Sequence, residues 1–251
     1  MTFIVLFIGS AGAGKSSLVE NFGKWIKNKR RESVKLVNLD PGAVVLPYKP
    51  DFNIRDFITV EQIMVEENLG PNGAIIKANE KVIENLDEYI KKFKDFRSEY
   101  ILIDTPGQLE LFIFKDIALK LLDRLSQEFR VIGINVIDSN LTKKSSELVI
   151  AYLFSHILSF RLGIEISNIL HKSDLVSHSK IKRLLNNPTD LINDLKNEKG
   201  TIVDLTLPIL KHLLDLYPLS RSISTSIYGN IGFAELYDLI NEHFCSCGDL
   251  S

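Results

Sequence analysis

The 251 residues are 45% hydrophobic and 25% charged, with 14 Gly and 8 Pro, values of a folded globular chain and not of a disordered or fibrous one. A formal net charge of −2 excludes a bulk basic field for nucleic acid or an anionic membrane, so neither is expected as a partner. The two cysteines, Cys245 and Cys247, make no disulfide framework, and no His/Cys cluster completes a zinc site; two free thiols favour a reducing, cytoplasmic setting.

In chain order, Phe3–Ile8 reads as a buried strand. It is too short for a signal core and has no basic lead, so no signal peptide is expected. Directly after it, Gly9-Ser-Ala-Gly12-Ala13-Gly14-Lys15-Ser16 fits G-x-x-x-x-G-K-[ST] and opens a helical pattern over Ser16–Lys29. Strand, loop and helix is the context this motif needs. Backbone N–H groups from Gly9 through Gly12, Ala13, Gly14 and Ser17 wrap a phosphate at a helix N-terminus. Lys15 reaches the β- and γ-phosphates, and the Ser16 hydroxyl is placed for magnesium.

A second strand, Val34–Asn38, leads into Asp40-Pro-Gly-Ala. That segment is either a turn or a means of bringing Asp40 near the γ-phosphate. Asn38–Thr59 and Leu69–Asn79 read as irregular, with helical patterns at Thr59–Asn68 and Val82–Phe96. Leu69-Gly70-Pro71-Asn72-Gly73, taken alone, is a turn. The apolar strand Tyr100–Ile103 ends at Asp104-Thr-Pro-Gly107-Gln108. An Asp there can hold magnesium, the Gly107 N–H can meet the γ-phosphate, and Gln108 can orient a water.

A helix over Leu109–Gln127, a strand over Val131–Ile137 and a helix over Ser145–Arg161 follow. The apolar stretch Leu148–Leu162 carries His156 and Arg161 and is too short and too polar to span a bilayer. Strand Ile166–His171 ends in His171-Lys172-Ser-Asp174, close to the N-K-x-D by which guanine is read. The Asp carboxylate accepts from N1 and N2, and the Lys stem covers the base; His171 stands where Asn is usual. Lys172–Lys199 is polar and reads as a helical insertion, with Lys182 and Arg183 on a solvated face. A last strand within Tyr217–Thr225, starting at Pro218, would leave Thr225 and Ser226 beside guanine O6. Helices Ile202–Leu216 and Ala234–Phe244 flank it. The alternation implies an α/β, three-layer P-loop NTPase fold: a mostly parallel sheet with helices on both faces.

With these residues in hand, the chain resembles the GPN-loop GTPases over nearly its whole length. The resemblance is carried by Asn38-Leu-Asp40-Pro, by Asn53-Ile-Arg55-Asp56 through Gly70-Pro71-Asn72-Gly73-Ala74, and by Asp104-Thr-Pro-Gly-Gln-Leu-Glu-Leu-Phe112. It implies one domain over residues 1–251, with a GPN-loop insertion at about 48–80 and a surface insertion at about 175–215. It implies a homodimer in which Gly70, Pro71 and Gly73 shape a loop carrying Asn72 to the other subunit's γ-phosphate. Magnesium, held by Ser16, Asp40 and Asp104, and GTP or GDP are the implied ligands. RNA polymerase assembly is the implied client by analogy. No Lys stands early in the phosphate loop, which sets the chain apart from MinD-like ATPases, and no arginine finger is evident. An ATPase of the same build, a nucleotide or polynucleotide kinase, and a non-hydrolysing scaffold are the rival readings.

Overall fold

The computed structural model describes residues 2–108, 115–175, 187–216 and 223–246. One seven-stranded sheet runs through it. The strands are β1 (Phe3–Ile8), β2 (Val34–Asn38), β3 (Phe52–Asn53), β4 (Tyr100–Asp104), β5 (Arg130–Asp138), β6 (Ile166–His171) and β7 (Ile223–Thr225). Their spatial order is β3-β2-β4-β1-β5-β6-β7, and every pairing is parallel. The helices are α1 (Lys15–Trp25), α2 (Val60–Glu66), α3 (Pro71–Glu84), α4 (Leu86–Asp95), α5 (Ile117–Ser126), α6 (Ser145–Leu162), α7 (Pro188–Asn197), α8 (Thr201–Leu216) and α9 (Phe233–Ser246).

The three layers follow from side-chain alternation on strands covered on both faces. Ile4, Leu6, Ile8, Ile101 and Ile103 point into a core shared with α3, α4 and α5. Val5, Phe7, Leu102, Ile132 and Ile134 point the other way, onto Leu18, Val19 and Phe22 of α1 and Phe233, Leu236 and Ile240 of α9. A smaller third cluster joins Leu148 and Tyr152 of α6 to Leu191 and Leu195 of α7 and Leu210 of α8. Among the described residues no helix is long and apolar enough to cross a membrane.

The expected strands match closely, because continuous apolar runs between turn residues leave little choice. Three expectations are corrected. Leu69–Asn79 is not irregular: α3 begins at Pro71 and runs to Glu84. Proline at the first helical position has no N–H to lose, and Ala74, Ala78 and Val82 bury one side of the helix. The helix expected over Val82–Phe96 is therefore two helices, parted at Asn85, whose side chain donates back to the Lys81 carbonyl at 2.9 Å. Asn38–Thr59 also carries the two-residue strand β3, too short to leave a periodic signal. Residues 1, 109–114, 176–186, 217–222 and 247–251 lie outside the described residues, and with them the start of the Leu109–Gln127 helix, Lys182, Arg183, Pro218 and Cys247.

Candidate functional site

Parallel strands share one carboxyl edge, and loops from that edge form the crevice where such sheets bind ligands. Register brings the candidate residues there. Phe7 of β1, Asn38 of β2 and Asp104 of β4 lie in one row. Asp138 of β5, His171 of β6 and Thr225 of β7 lie in a second. The phosphate loop leaves β1 beside the first row, and α1 starts at Lys15.

Gly14 shows why the loop needs glycine. It precedes α1 at φ 95°, and a Cβ there would sit 2.7 Å from the His171 ring. Lys15 is buried, and its ammonium donates to the Gly9 carbonyl at 2.8 Å and the Ser10 carbonyl at 3.2 Å. Burial pulls its pKa below the ordinary lysine range, while the charges of Asp104 and Asp40 push it back up. The N–H groups of the first helical turn have no partner within the helix. Gly107 packs on this loop, so that a Cβ would stand 3.1 Å from the Ala11 Cα. Gln108 beside it is exposed.

Asp104 is buried at 2% exposure. Burial pushes its carboxyl up to about 6, against the Ser16 hydroxyl and the Lys15 charge, which favour the carboxylate. Asp40 is half-buried and close enough to raise it further. The Asp40 segment is fixed by Asn38, which accepts from the Asp40 N–H at 3.1 Å and donates to the Asp40 carbonyl at 3.2 Å. Asn38 also donates to Asn53 at 2.9 Å, and Arg55 donates to the Pro41 carbonyl at 2.7 Å. A hydroxyl and two carboxylates are donors that a small hard cation takes together with water and phosphate. A buried carboxyl kept partly protonated is one that such a cation would let ionise. Ser16, Asp40 and Asp104 therefore fit magnesium. Among the described residues no group of three or more His, Cys, Asp or Glu could hold a metal by itself, so phosphate and water must complete the shell.

The second row holds the base-reading candidates. Lys172, at φ 59°, donates to the Gly12 carbonyl at 2.6 Å and to Asp138 at 2.7 Å, which ties this loop to the phosphate loop. His171 Nδ1 lies 3.0 Å from the Thr225 hydroxyl, and its ring edge meets Gly14. Burial, and then the Lys172 charge, pull its pKa down to about 4, so the ring is neutral at physiological pH. A neutral ring can bridge two loops as an Asn amide would. Asp174 is exposed and accepts from the buried Ser226 hydroxyl. Gly70, Pro71 and Asn72 sit apart from these rows in sequence and register, exposed at the N-terminus of α3.

Four further residues matter here, of which Asn38 and Arg55 stand above only within the family motif and Asp138 and Tyr48 not at all. Asn38 and Asp138 are polar side chains closing apolar strands, a signal that could have marked them. The role of Arg55 on Pro41 and that of Tyr48, which donates to Asp104 at 3.3 Å, come from loop geometry and leave no periodicity to read.

The model of the family described as "Conserved hypothetical ATP binding protein" matches residues 7–246. The GPN-loop GTPase PAB0955 of Pyrococcus abyssi is 34% identical over 99% of this chain and 100% of its own length. GPN-loop GTPase 3 of Dictyostelium discoideum is 33% identical over 70% of this chain and 62% of its own length. The crystal structure of PAB0955, described as a GTPase in apo form, superposes with a TM-score of 0.85 at 32% identity, covering 98% of each chain. The P-loop architecture and these similarities agree: the chain belongs to the GPN-loop GTPase family.

Proposed function

We propose that this protein binds GTP at the carboxyl edge of the sheet and hydrolyses it to GDP and phosphate with magnesium, as a homodimer that changes shape with the nucleotide. The observation that carries the reading is the row of Ser16, Lys15 and Asp104 against Asp40, joined through Lys172 to the base-reading loop. The working unit is one domain over residues 1–251, with insertions at about 48–80 and 175–215.

The roles follow from the donors. The loop N–H groups and Lys15, once released from the Gly9 and Ser10 carbonyls, face the β- and γ-phosphates. Ser16, Asp40 and Asp104 would hold magnesium, which supplies charge neutralisation across the phosphates. Asp40 and Gln108 orient the attacking water, with Asn72 of the partner subunit. Asp174 and the Lys172 stem read guanine, and the turn after Thr225 faces O6, although the Ser226 N–H itself is taken by the Ile231 carbonyl at 3.1 Å. Loss of the γ-phosphate frees Gly107 and the segment after Asp40, and the dimer relaxes. Val44 and Val45, 71% and 84% exposed on that segment, suit a surface covered by another copy. A client such as an assembling RNA polymerase is the use we propose for that motion.

A neutral amide in trans makes turnover depend on pairing. Hydrolysis per subunit is expected to rise with protein concentration and then saturate. Asn72→Ala should lower the plateau about tenfold while leaving GTP affinity within twofold, because it removes a contact made only near the transition state. Turnover independent of concentration and of Asn72 would defeat the dimer reading and leave a monomeric enzyme. An ATPase remains the second reading, favoured by His171 at the usual Asn position and by the family model's own description.

A further inference from the structure

Tyr48 lies on the segment that follows Asp40, between Pro47 and Pro50, and no motif points to it. It is nonetheless 8% exposed and packs in the same core as Phe7, Leu18 and Leu36. Its hydroxyl reaches Asp104 Oδ2 at 3.3 Å. A phenol O–H beside a carboxylate oxygen is the donor of the pair, and the carboxylate accepts. Ser16 approaches the same carboxylate. Asp104 is thus gripped both from α1 and from the loop.

The loop is pinned at both ends, and between them Val44 and Val45 are exposed while Leu46 packs against the core. At its start, Asn38 holds Asp40. At its end, the Asp51 N–H donates to the Leu36 carbonyl at 2.7 Å, and the Asp51 side chain accepts from the Leu36 N–H at 2.9 Å and from Lys35 at 2.8 Å. Tyr48 provides a tether from this stretch to the bottom of the site.

We infer that Tyr48 is a positioning residue, whose hydroxyl aims the Asp104 carboxylate for the divalent cation and thereby links the order of the Asp40–Tyr48 segment to occupancy of that cation. The inference rests on the reading of Ser16, Asp40 and Asp104 as the magnesium set. Outer hydrogen bonds that orient a ligating carboxylate set metal affinity without touching the metal. Linkage works both ways: a cation that favours the held carboxylate favours the held loop, and releasing the loop weakens the cation.

Tyr48→Phe removes one oxygen and keeps the ring in its core. The test is the affinity of a fluorescent non-hydrolysable GTP analogue measured across free magnesium concentrations, in wild type and in Tyr48→Phe. The variant is expected to need about tenfold more magnesium for half its effect, and at saturating magnesium to bind the analogue within about twofold of wild type. Hydrolysis should follow the same shift. Coincident magnesium curves would overturn the inference, as would an affinity reduced equally at every magnesium concentration, which marks a packing role. A wild type indifferent to magnesium would instead overturn the reading of the cation set on which this rests. Should thermal unfolding show that Tyr48→Phe does not fold, Tyr48→Met, an unbranched side chain for the same slot, carries the same comparison.

Discussion

Asp104→Asn is expected to give a nucleotide-free protein more stable than wild type that hydrolyses GTP roughly a hundredfold more slowly, the usual cost of losing an oriented carboxylate at a metal. The physical cause is the carboxyl pushed up to about 6 by burial. A group whose folded pKa lies above its unfolded value binds more protons in the native state between the two. Its ionised form therefore weakens the fold above about pH 6, and that penalty disappears as pH falls toward 3.8. At pH 7.5 the amide should recover about 3 kcal/mol, roughly 9 °C in melting temperature for a chain of this size. His171 has the opposite slope. Its folded pKa of about 4 lies below the ordinary histidine value of 6.5, so its contribution is lost as pH drops through that window. In wild type the two slopes offset one another. In Asp104→Asn the His171 slope stands alone, and the gain seen at pH 7.5 should shrink and vanish toward pH 4. Melting curves at several pH values check this. An equal or lower melting temperature at pH 7.5 would mean that the buried carboxyl is not held at a cost, and the argument for a cation there would lose its physical basis. Stability given up at a functional residue is a common trade.

Lys15→Met is the second large expected effect. Among the described residues the ammonium is hydrogen-bonded to two carbonyls, and burial works against its charge. Methionine keeps the unbranched stem and removes the charge. The carbonyls of Gly9 and Ser10 lose a donor while the desolvated charge disappears, so the melting temperature should stay within about 3 °C. GTP affinity should fall about a hundredfold, the worth of a charge-assisted bond of roughly 3 kcal/mol. Titration with labelled GTP at fixed magnesium measures it. A variant that folds and binds as wild type would place the phosphates elsewhere.

These expectations depend on parts of the molecule that differ in how readable they are from sequence. Phe3–Ile8, Val34–Asn38 and Ile166–His171 are legible to the residue because apolar and β-branched residues dominate each run, and turn residues bound it. Lys15, Ser16 and Asp104 are legible because strand–loop–helix and strand–turn contexts surround them. Pro71 was misleading: after Leu69-Gly70 it reads as a turn residue, yet it is the first residue of a helix whose buried side, Ala74 and Ala78, is small and gives a weak apolar period. β3 and the hydrogen bonds from Asn38 to Asn53 and from Arg55 to the Pro41 carbonyl depend on two segments meeting in space, which a one-dimensional pattern does not encode. Tyr48 belongs to the same class: its hydroxyl finds Asp104 across 56 positions of chain.

His171 bears most directly on nucleotide choice. It keeps its bridge to Thr225 and its seat against Gly14, while Asp174 stands held by Ser226. Guanine reading is therefore expected to survive with His in place of Asn. Calorimetric titration of GTP and of ATP with magnesium, into wild type and Asp174→Asn, tests this. A site that matches the donors of one base rejects the other strongly, so wild type should bind GTP at least about a hundredfold more tightly than ATP, and Asp174→Asn should bring the two close to parity. Equal affinities in wild type, or a preference for ATP untouched by Asp174→Asn, would contradict it.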